Sequence, residues 1–131
     1  MIMGLKGLHD RSILHRDLKS ANIFMYTNGT AKIGDLNVSK IMKENMSHTQ
    51  TGTPYYASPE IWRDKPYDFK SDIWSMGIII YEIAQMIVPF KAEDIDGLYK
   101  KVCRGKYTPI DSSLYSPQLS QLIKMMLSVA P

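Results

Sequence analysis

The sequence predicts an α+β fold that is mainly helical, with one small β-hairpin near its start. Three observations lead to this prediction. Apolar residues recur at helical spacing through most of residues 58–127. Two short apolar runs in the first third are separated by Asn28-Gly29, a dipeptide typical of hairpin turns. A polar stretch without periodicity, residues 36–57, lies between these two parts.

The first third is predicted to hold a helix and the hairpin. Apolar residues three apart place residues 1–13 in the end of a helix. Residues 23–26 and 31–33 form the two strands, joined by a two-residue turn at Asn28-Gly29. Residues 36–57 are too long for an idle connection in a compact domain, so we expect them to be functional.

The rest of the chain is predicted to be helical. Ser58, Pro59 and Glu60 are typical of a helix start, and residues 71–87 are apolar on nearly every side, as in a buried central helix. Gly105 ends a third helix. Apolar faces define this helix and a fourth one, the first by Ile95, Leu98, Tyr99, Val102 and Cys103 and the second by Leu119, Leu122, Ile123, Met126 and Leu127.

Composition excludes several classes of function. The 131 residues make one domain, residues 1–131, with 44% hydrophobic and 22% charged side chains, which is normal for a globular chain. The net charge of +3 is spread along the sequence, so nucleic acid is not the expected partner. Glu82 and Gln85 interrupt the most apolar segment, so no membrane span is expected. One cysteine and no signal-peptide pattern favour a cytoplasmic location, with nuclear or cytoskeletal association left open.

The hairpin geometry suggests a metal site. With a two-residue turn, Phe24 faces Ile33, and one pair beyond the ladder Asn22 meets Asp35. Side chains directly opposite each other have Cβ atoms roughly 4.5–5.5 Å apart. An amide oxygen and a carboxylate without a further protein cage suit Mg²⁺, which keeps water and substrate phosphates as ligands.

Three more side chains of the first third belong with this pair. Asp17 and Lys19 lie on the loop that leads into Asn22, where an acid can take a proton from a hydroxyl and a cation can balance phosphate charge. Phe24 is two residues beyond Asn22 on the same strand face and can form the floor of a pocket for a flat apolar group.

Four motifs in order resemble one family. "HRDLKSAN", "GDLN", "GTPYYASPE" and "SDIWSMG" together resemble the catalytic lobe of eukaryotic protein kinases over essentially the whole chain. Lys19, two residues after Asp17, and "GTPYYASPE" resemble the serine/threonine branch. The sequence from "GDLNVSK" to "SPEIW" is similar to that of the NIMA-related (Nek) kinases.

The resemblance implies roles for the residues of the site. Asp17 would accept the proton of the substrate hydroxyl, and Lys19 would contact the transferring phosphate of ATP. Asn22 and Asp35 would hold Mg²⁺ on the ATP phosphates. Phe24 would lie beneath the adenine.

The resemblance also implies regulatory and structural roles. Residues 35–60 would be the activation segment, in which Thr49 is the activating phosphorylation site and Thr53 braces the catalytic loop. Arg16 would pair with the phosphorylated segment. Three further positions would be structural: His15 as a packing residue, and Asp72 and Trp74 as anchors of the buried helix beneath the catalytic loop.

Simpler interpretations stay open for single residues. Asp17 and Lys19 alone could be solvated charges, Asn22 could bond its own backbone in a turn, and Phe24 could belong to the core. Thr49 competes as phosphorylation site with the other hydroxyl residues of its loop, which are Ser47, Thr51 and Thr53.

The sequence departs from the family pattern at two positions. Leu36 stands where phenylalanine is commoner, and Asn37 stands where glycine is usual. Asparagine tolerates positive φ better than most other residues, so the metal-binding segment can persist with this change.

The interpretation of the whole chain has two alternatives. The first is the C-terminal lobe of an ATP-dependent serine/threonine protein kinase that acts on Ser or Thr of protein substrates. No G-x-G-x-x-G motif occurs in the 131 residues, so we expect the N-lobe upstream and expect this segment to be inactive alone. The arginine that usually pairs with the Glu60 position in this family is also not among the 131 residues. Without it, Glu60 would hold the activation segment less firmly. The second alternative is a non-catalytic, pseudokinase-like interaction module.

Overall fold

The computed structural model describes residues 1–36, 40–41 and 54–129. Within these residues the chain is rich in helix and has two small antiparallel sheets of two strands each. The elements in chain order are α1 Ile2–His9, β1 Ile13–Leu14, a 3₁₀ turn Ser20–Asn22, β2 Ile23–Met25, β3 Ala31–Ile33, β4 Lys40–Ile41, α2 Pro59–Trp62, α3 Phe69–Gln85, α4 Ile95–Arg104 and α5 Pro117–Met126.

The hairpin of β2 and β3 has a different turn from the one predicted. Its loop is three residues long, because the Tyr26 amide bonds the Thr30 carbonyl at 2.9 Å and the Gly29 amide bonds the Tyr26 carbonyl at 2.9 Å. Gly29 has a φ of 80°, the left-handed conformation that closes such a loop after a tight turn. The Asn-Gly signal is compatible with both loop lengths, and the chain uses the longer one.

The longer loop shifts the strand register by one residue. Phe24 pairs with Lys32, not with Ile33. Beyond the ladder, the Gly34 amide donates to the Asn22 carbonyl at 2.9 Å, so Gly34 lies beside Asn22. The predicted opposition of Asn22 and Asp35 is therefore wrong, because Asp35 follows one residue further along.

A second sheet was not predicted from the sequence. α1 ends at His9 and not at residue 13, and Ser12, with a φ of 57°, lies in the turn that leads into β1. β1 pairs with β4, which lies inside the stretch predicted to be irregular. Two-residue strands carry no periodicity, so only the folded chain reveals this pair.

α3 is the central helix of the molecule. Asp68 caps its start by accepting hydrogen bonds from the amides of Lys70 (2.8 Å) and Ser71 (3.3 Å), so the helix begins two residues earlier than predicted. It ends at Gln85 because Met86 adopts a left-handed conformation with a φ of 58°.

The buried residues of α3 belong to two apolar clusters. One cluster also contains residues of α1 and of the loop before β2; its buried members are Leu5, Leu18, Met76 and Ile79. The other packs α3 against α4 and α5, and its buried members are Trp74, Ile78, Tyr81, Phe90, Leu98, Val102, Ile110, Ile123 and Leu127. α3 therefore supports the loop before β2 with one set of residues and the C-terminal helices with the other.

The predicted apolar face of α4 is only partly buried. Leu98 and Val102 are in the core, but Ile95 and Tyr99 are 51% and 38% exposed. The Tyr99 ring instead meets Trp62 of the short α2 edge-on, with the ring centroids 6.0 Å apart. None of the helices in the described part of the chain is long and apolar enough to cross a membrane.

Candidate active site

The loop from His15 to Asn22 is fastened to α3 by one buried carboxylate. The amides of His15 and Arg16 donate to Asp72, at 2.9 Å to Oδ2 and 3.0 Å to Oδ1. Asp72 is fully buried in the first turn of α3. A buried carboxylate is stable only when donors surround it, so this contact fixes the loop backbone on the helix beneath it. Trp74 contributes differently, since it stacks on Phe90 in the C-terminal core.

The His15 ring connects the loop to the end of the hairpin. The side chain is fully buried, and its Nε2 lies 3.0 Å from the Gly34 carbonyl oxygen. Its Nδ1 accepts a longer bond, 3.4 Å, from the Asp17 amide. These partners fit the tautomer with the proton on Nε2. His15 therefore does more than fill space, because it spans the chain on both sides of the candidate site.

Asp17, Lys19 and Asn22 form a compact polar cluster. Asp17 Oδ2 accepts from Lys19 Nζ at 2.7 Å and from Asn22 Nδ2 at 3.2 Å. Asn22 Nδ2 also donates to the Asp17 carbonyl oxygen at 2.7 Å. Asn22 is 5% exposed, so its amide is an ordered part of the loop. The structure brings these three predicted residues together, and Asp17 Oδ1 accepts no hydrogen bond from the other described residues.

Phe24 lies at the surface of the hairpin and not in the core. It is 52% exposed, and its neighbours Met25 and Tyr26 are 68% and 51% exposed. The ring lies directly over Gly34, where an added Cβ would be 2.5 Å from a ring carbon. The hairpin therefore presents a flat apolar surface beside the polar cluster.

Asp35 lies close in sequence to this surface but outside the hairpin ladder. It is exposed and has a φ of 60°, an uncommon conformation for a residue with a side chain. Among residues 1–36, 40–41 and 54–129, no group of three or more His, Cys, Asp or Glu side chains could hold a metal ion. The donor set of Asn22 and Asp35 fits Mg²⁺, which takes few protein ligands and keeps water and phosphate oxygens.

Arg16 has two features that distinguish it from an ordinary loop residue. Its backbone has a φ of 70°, and its Nε is buried without a hydrogen-bond partner in the described part of the chain. A buried guanidinium nitrogen without a partner is costly, so an anion that reaches it would be favoured. The predicted regulatory residues Thr49 and Thr53 lie outside the described residues.

Tyr56 connects the end of the predicted activation segment to the loop and to α3. Its hydroxyl donates to Glu82 Oε2 at 2.7 Å and lies 2.9 Å from Ser20 Oγ. Its carbonyl oxygen accepts from Ser75 Oγ at 2.9 Å. Burial raises the pKa of Tyr56, the Ser20 bond opposes this, and Glu82 adds to it. The hydroxyl therefore remains a donor at neutral pH.

Glu60 has a partner that the sequence did not predict. Its Oε1 accepts from Ser71 Oγ at 2.5 Å, which joins α2 to the first turn of α3. Ser71 takes part in the helix cap at the same time, because its Oγ accepts from the Asp68 amide at 3.4 Å. The start of α2 is thus held on α3 by a charge-assisted hydrogen bond.

The sequence reasoning missed His9, Tyr56 and Tyr67. The His9 Nε2 lies 2.8 Å from Asp72 Oδ2, and the Tyr67 hydroxyl donates to Asp72 Oδ1 at 2.5 Å. No periodic pattern marks these residues, since each acts through a partner 5 to 63 positions away. The sequence offered only a weak signal for them: each is a polar or aromatic residue near the end of an element and close to a motif.

The family of the chain follows from its sequence pattern. The sequence pattern of the family described as "Protein kinase domain" matches residues 1–131, so the chain belongs to the protein kinase family. This family generally uses ATP and Mg²⁺.

Similar proteins include serine/threonine-protein kinases of the Nek group. It is 45% identical over 132 residues to "Serine/threonine-protein kinase Nek5" of Mus musculus, covering 98% of this chain and 21% of that protein. Nek5 of Homo sapiens is 42% identical, with 98% and 18% covered, and Nek4 of Mus musculus is 41% identical, with 98% and 16% covered. The predicted likeness to the Nek kinases is confirmed. The chain spans about a fifth of the length of these relatives.

Proposed function

We propose that residues 1–131 are the C-terminal lobe of a serine/threonine protein kinase domain, which transfers the γ-phosphate of ATP to Ser or Thr of protein substrates. The observation that carries this proposal is the fixed position of the Asp17 carboxylate. Its carboxylate is held by Lys19 and Asn22 on a loop that the buried Asp72 fastens from beneath. A proton acceptor in a fixed place is what transfer to a hydroxyl requires.

Asp17 would act on the acceptor. One of its oxygens is engaged by Lys19 and Asn22, and the other is available for the substrate hydroxyl. As the hydroxyl oxygen bonds to the γ-phosphorus, its proton passes to Asp17, and the bond to the β–γ bridging oxygen breaks to release ADP. Positioned acid–base groups of this kind contribute on the order of 10²–10⁴-fold to rate.

Lys19, Asn22 and Asp35 would act on the phosphates. The Lys19 ammonium group bonds Asp17 Oδ2, which supports a role for Lys19 at the transferring phosphate beside the proposed proton acceptor. Asn22 and Asp35 would hold Mg²⁺, which neutralises charge on the phosphates when bound. The Asn22 nitrogen donates to Asp17, which leaves its amide oxygen for the metal. The exposed Phe24 ring would lie beneath the adenine.

Phosphorylation of the activation segment would regulate this site. Thr49 is the proposed phosphorylation site, Thr53 the proposed brace of the catalytic loop, and Arg16 the proposed partner of the phosphate. Support comes from the buried Arg16 Nε that lacks a partner in the described structure. A phosphate brings nearly two negative charges and several acceptor oxygens to such a group.

The test is an assay of the full-length protein with Mg²⁺ and γ-labelled ATP on a generic protein substrate, followed by phosphoamino-acid analysis. We expect label on Ser and Thr, and a loss of about 10²–10⁴-fold in kcat for Asp17→Asn with ATP affinity retained. The matched control is Asp10→Asn, which alters a half-exposed ion pair with Lys6 on α1.

Two outcomes would contradict the proposal. Near-wild-type turnover of Asp17→Asn would remove Asp17 from the chemistry. Binding of protein partners without any turnover by the wild type would favour the non-catalytic interaction module. Residues 1–131 expressed alone should show no turnover, since the glycine-rich phosphate loop of kinases is not among them and the hairpin surface is open to water.

A further inference from the structure

Among the described residues, four donors bind the Asp72 carboxylate, and only two of them belong to the catalytic loop. Oδ1 binds the Arg16 amide at 3.0 Å and the Tyr67 hydroxyl at 2.5 Å. Oδ2 binds the His15 amide at 2.9 Å and His9 Nε2 at 2.8 Å. Each oxygen therefore pairs one loop amide with one side chain from another element.

The two side-chain donors decide which way the carboxylate faces. A carboxylate can turn about its Cβ–Cγ bond, and amides on a loop can follow it. Tyr67 precedes α3 and His9 ends α1, so they approach Asp72 from outside the loop. Charge-assisted hydrogen bonds are short and directional, and together they fix the plane of the group.

Both donors are themselves held in place. Tyr67 is 9% exposed, and its pKa is raised well above the usual value by burial first and by the charge of Asp72 second. It therefore keeps its proton and stays a donor at any physiological pH. The His9 ring packs against Phe69, with ring centroids 4.7 Å apart.

The loop backbone needs this support. Arg16 has a φ of 70°, which costs energy in a residue with a side chain and persists only when the surroundings hold it. Arg16 directly precedes Asp17, so any relaxation of its backbone moves the Asp17 carboxylate. A misplacement of about 1 Å can lower turnover by as much as 10²-fold.

We infer that Tyr67 and His9 are positioning residues for phosphoryl transfer: they orient the Asp72 carboxylate so that it holds the Arg16 and His15 amides and thereby places Asp17. This inference rests on the proposed function for its effect on turnover. The predicted effect of Tyr67 and His9 on the order of the loop backbone rests only on the hydrogen bonds to Asp72.

The first experiment compares Tyr67→Phe with Tyr81→Phe in the full-length protein. Tyr81 is a matched control, because it is 3% exposed and donates to the Thr108 carbonyl at 2.9 Å, away from the loop. We expect Tyr67→Phe to lower kcat about tenfold with KM for ATP within about twofold, and Tyr81→Phe to leave kcat within about twofold. Amide exchange of His15 and Arg16 should rise only in Tyr67→Phe.

The second experiment uses His9 and decides the question even if Tyr67→Phe fails to fold. His9→Gln keeps an N–H donor for Asp72 and His9→Leu does not. We expect His9→Gln to retain at least about threefold more kcat than His9→Leu and slower exchange at His15.

The outcomes separate this inference from the proposed function. Equal kcat and equal loop exchange in Tyr67→Phe and Tyr81→Phe would overturn the inference, as would equal values in the two His9 variants. A wild-type protein that transfers no phosphate would overturn the proposed function. The exchange comparison would still show whether Tyr67 and His9 hold the loop.

Discussion

The loop from His15 to Asn22 and the hairpin that follows it obtain their positions in different ways. The loop backbone at His15 and Arg16 is bonded to a fully buried carboxylate of the central helix. The hairpin carries Phe24, Met25 and Tyr26 on a surface that is more than half exposed. One region is fixed by the core beneath it, and the other offers surface to whatever binds above it.

This difference assigns two kinds of effect to two sets of residues. Changes in the loop should act on turnover, because the proposed proton acceptor, Asp17, and the proposed phosphate-binding cation, Lys19, lie there. Changes in the hairpin should act on nucleotide binding, since the proposed adenine surface is there. A loop variant that changes only nucleotide binding, or a hairpin variant that changes only turnover, would contradict this comparison.

After Asp17→Asn, the next largest effect is expected for Lys19→Ala in the loop. Removal of the cation proposed to contact the transferring phosphate should lower kcat by about 10²-fold, the loss typical of one transition-state donor, with a smaller change in KM for ATP. Steady-state kinetics of the full-length protein measure this. Lys6→Ala is the control, because Lys6 is an exposed lysine that is also paired with an aspartate. A rise in KM for ATP with kcat unchanged would show that Lys19 acts in nucleotide binding and not in turnover.

A smaller effect is expected for Gly34→Ala in the hairpin. The new Cβ would meet the Phe24 ring at 2.5 Å, so the ring must leave its place over Gly34. The ring is half exposed and can turn aside, so little stability should be lost. Because the displaced ring no longer lies beneath the proposed adenine position, we expect roughly a tenfold rise in KM for ATP with kcat nearly unchanged. In Phe24→Ala, which already lacks the ring, Gly34→Ala should add little. Independent, additive effects of the two changes would contradict the contact.

The smallest effect concerns the pH dependence of stability. The pKa of Tyr67 is raised well above 10.0 in the folded protein, by burial first and by Asp72 second. The unfolded chain loses this proton near pH 10, before the folded protein does, so rising pH favours unfolding by up to about 1.4 kcal/mol per unit. The contribution of the Tyr67 hydroxyl to stability is complete below about pH 10 and is lost as the pH rises through the pKa of Tyr67 in the folded protein.

Tyr67→Phe lacks this contribution at any pH. The gap in unfolding free energy between wild type and variant should therefore be constant below about pH 10 and narrow as the pH rises above it in denaturant titrations. Parallel curves over that range would show that the Tyr67 hydroxyl is not held by a buried acceptor.

The sequence predicted the parts of the fold that repeat or that carry a motif. Helical spacing gave both ends of α3 to within two residues and the existence of α4 and α5, because their apolar faces are long enough to average over exceptions such as Ile95. The order of the motifs gave the family. The cluster of Asp17, Lys19 and Asn22 could be predicted because all three lie within six residues of one loop.

The parts that the sequence did not predict depend on contacts between distant segments. The hairpin register failed because Asn28-Gly29 suits a two-residue and a three-residue loop equally, and one residue of difference moves Asp35 out of line with Asn22. β1 and β4 are too short to have a pattern. The convergence of His9 and Tyr67 on Asp72 is a tertiary event, which no local propensity encodes.

Hydrogen exchange of the full-length protein with and without Mg²⁺ and ATP tests the central claim most directly. We predict that the His15 and Arg16 amides are protected in both states, because Asp72 holds them whether or not nucleotide is bound. Residues 22–36 should gain protection only when nucleotide is added. Rapid exchange at His15 and Arg16 until ATP binds would contradict the account, since the loop would then be ordered by its ligand and not by the core.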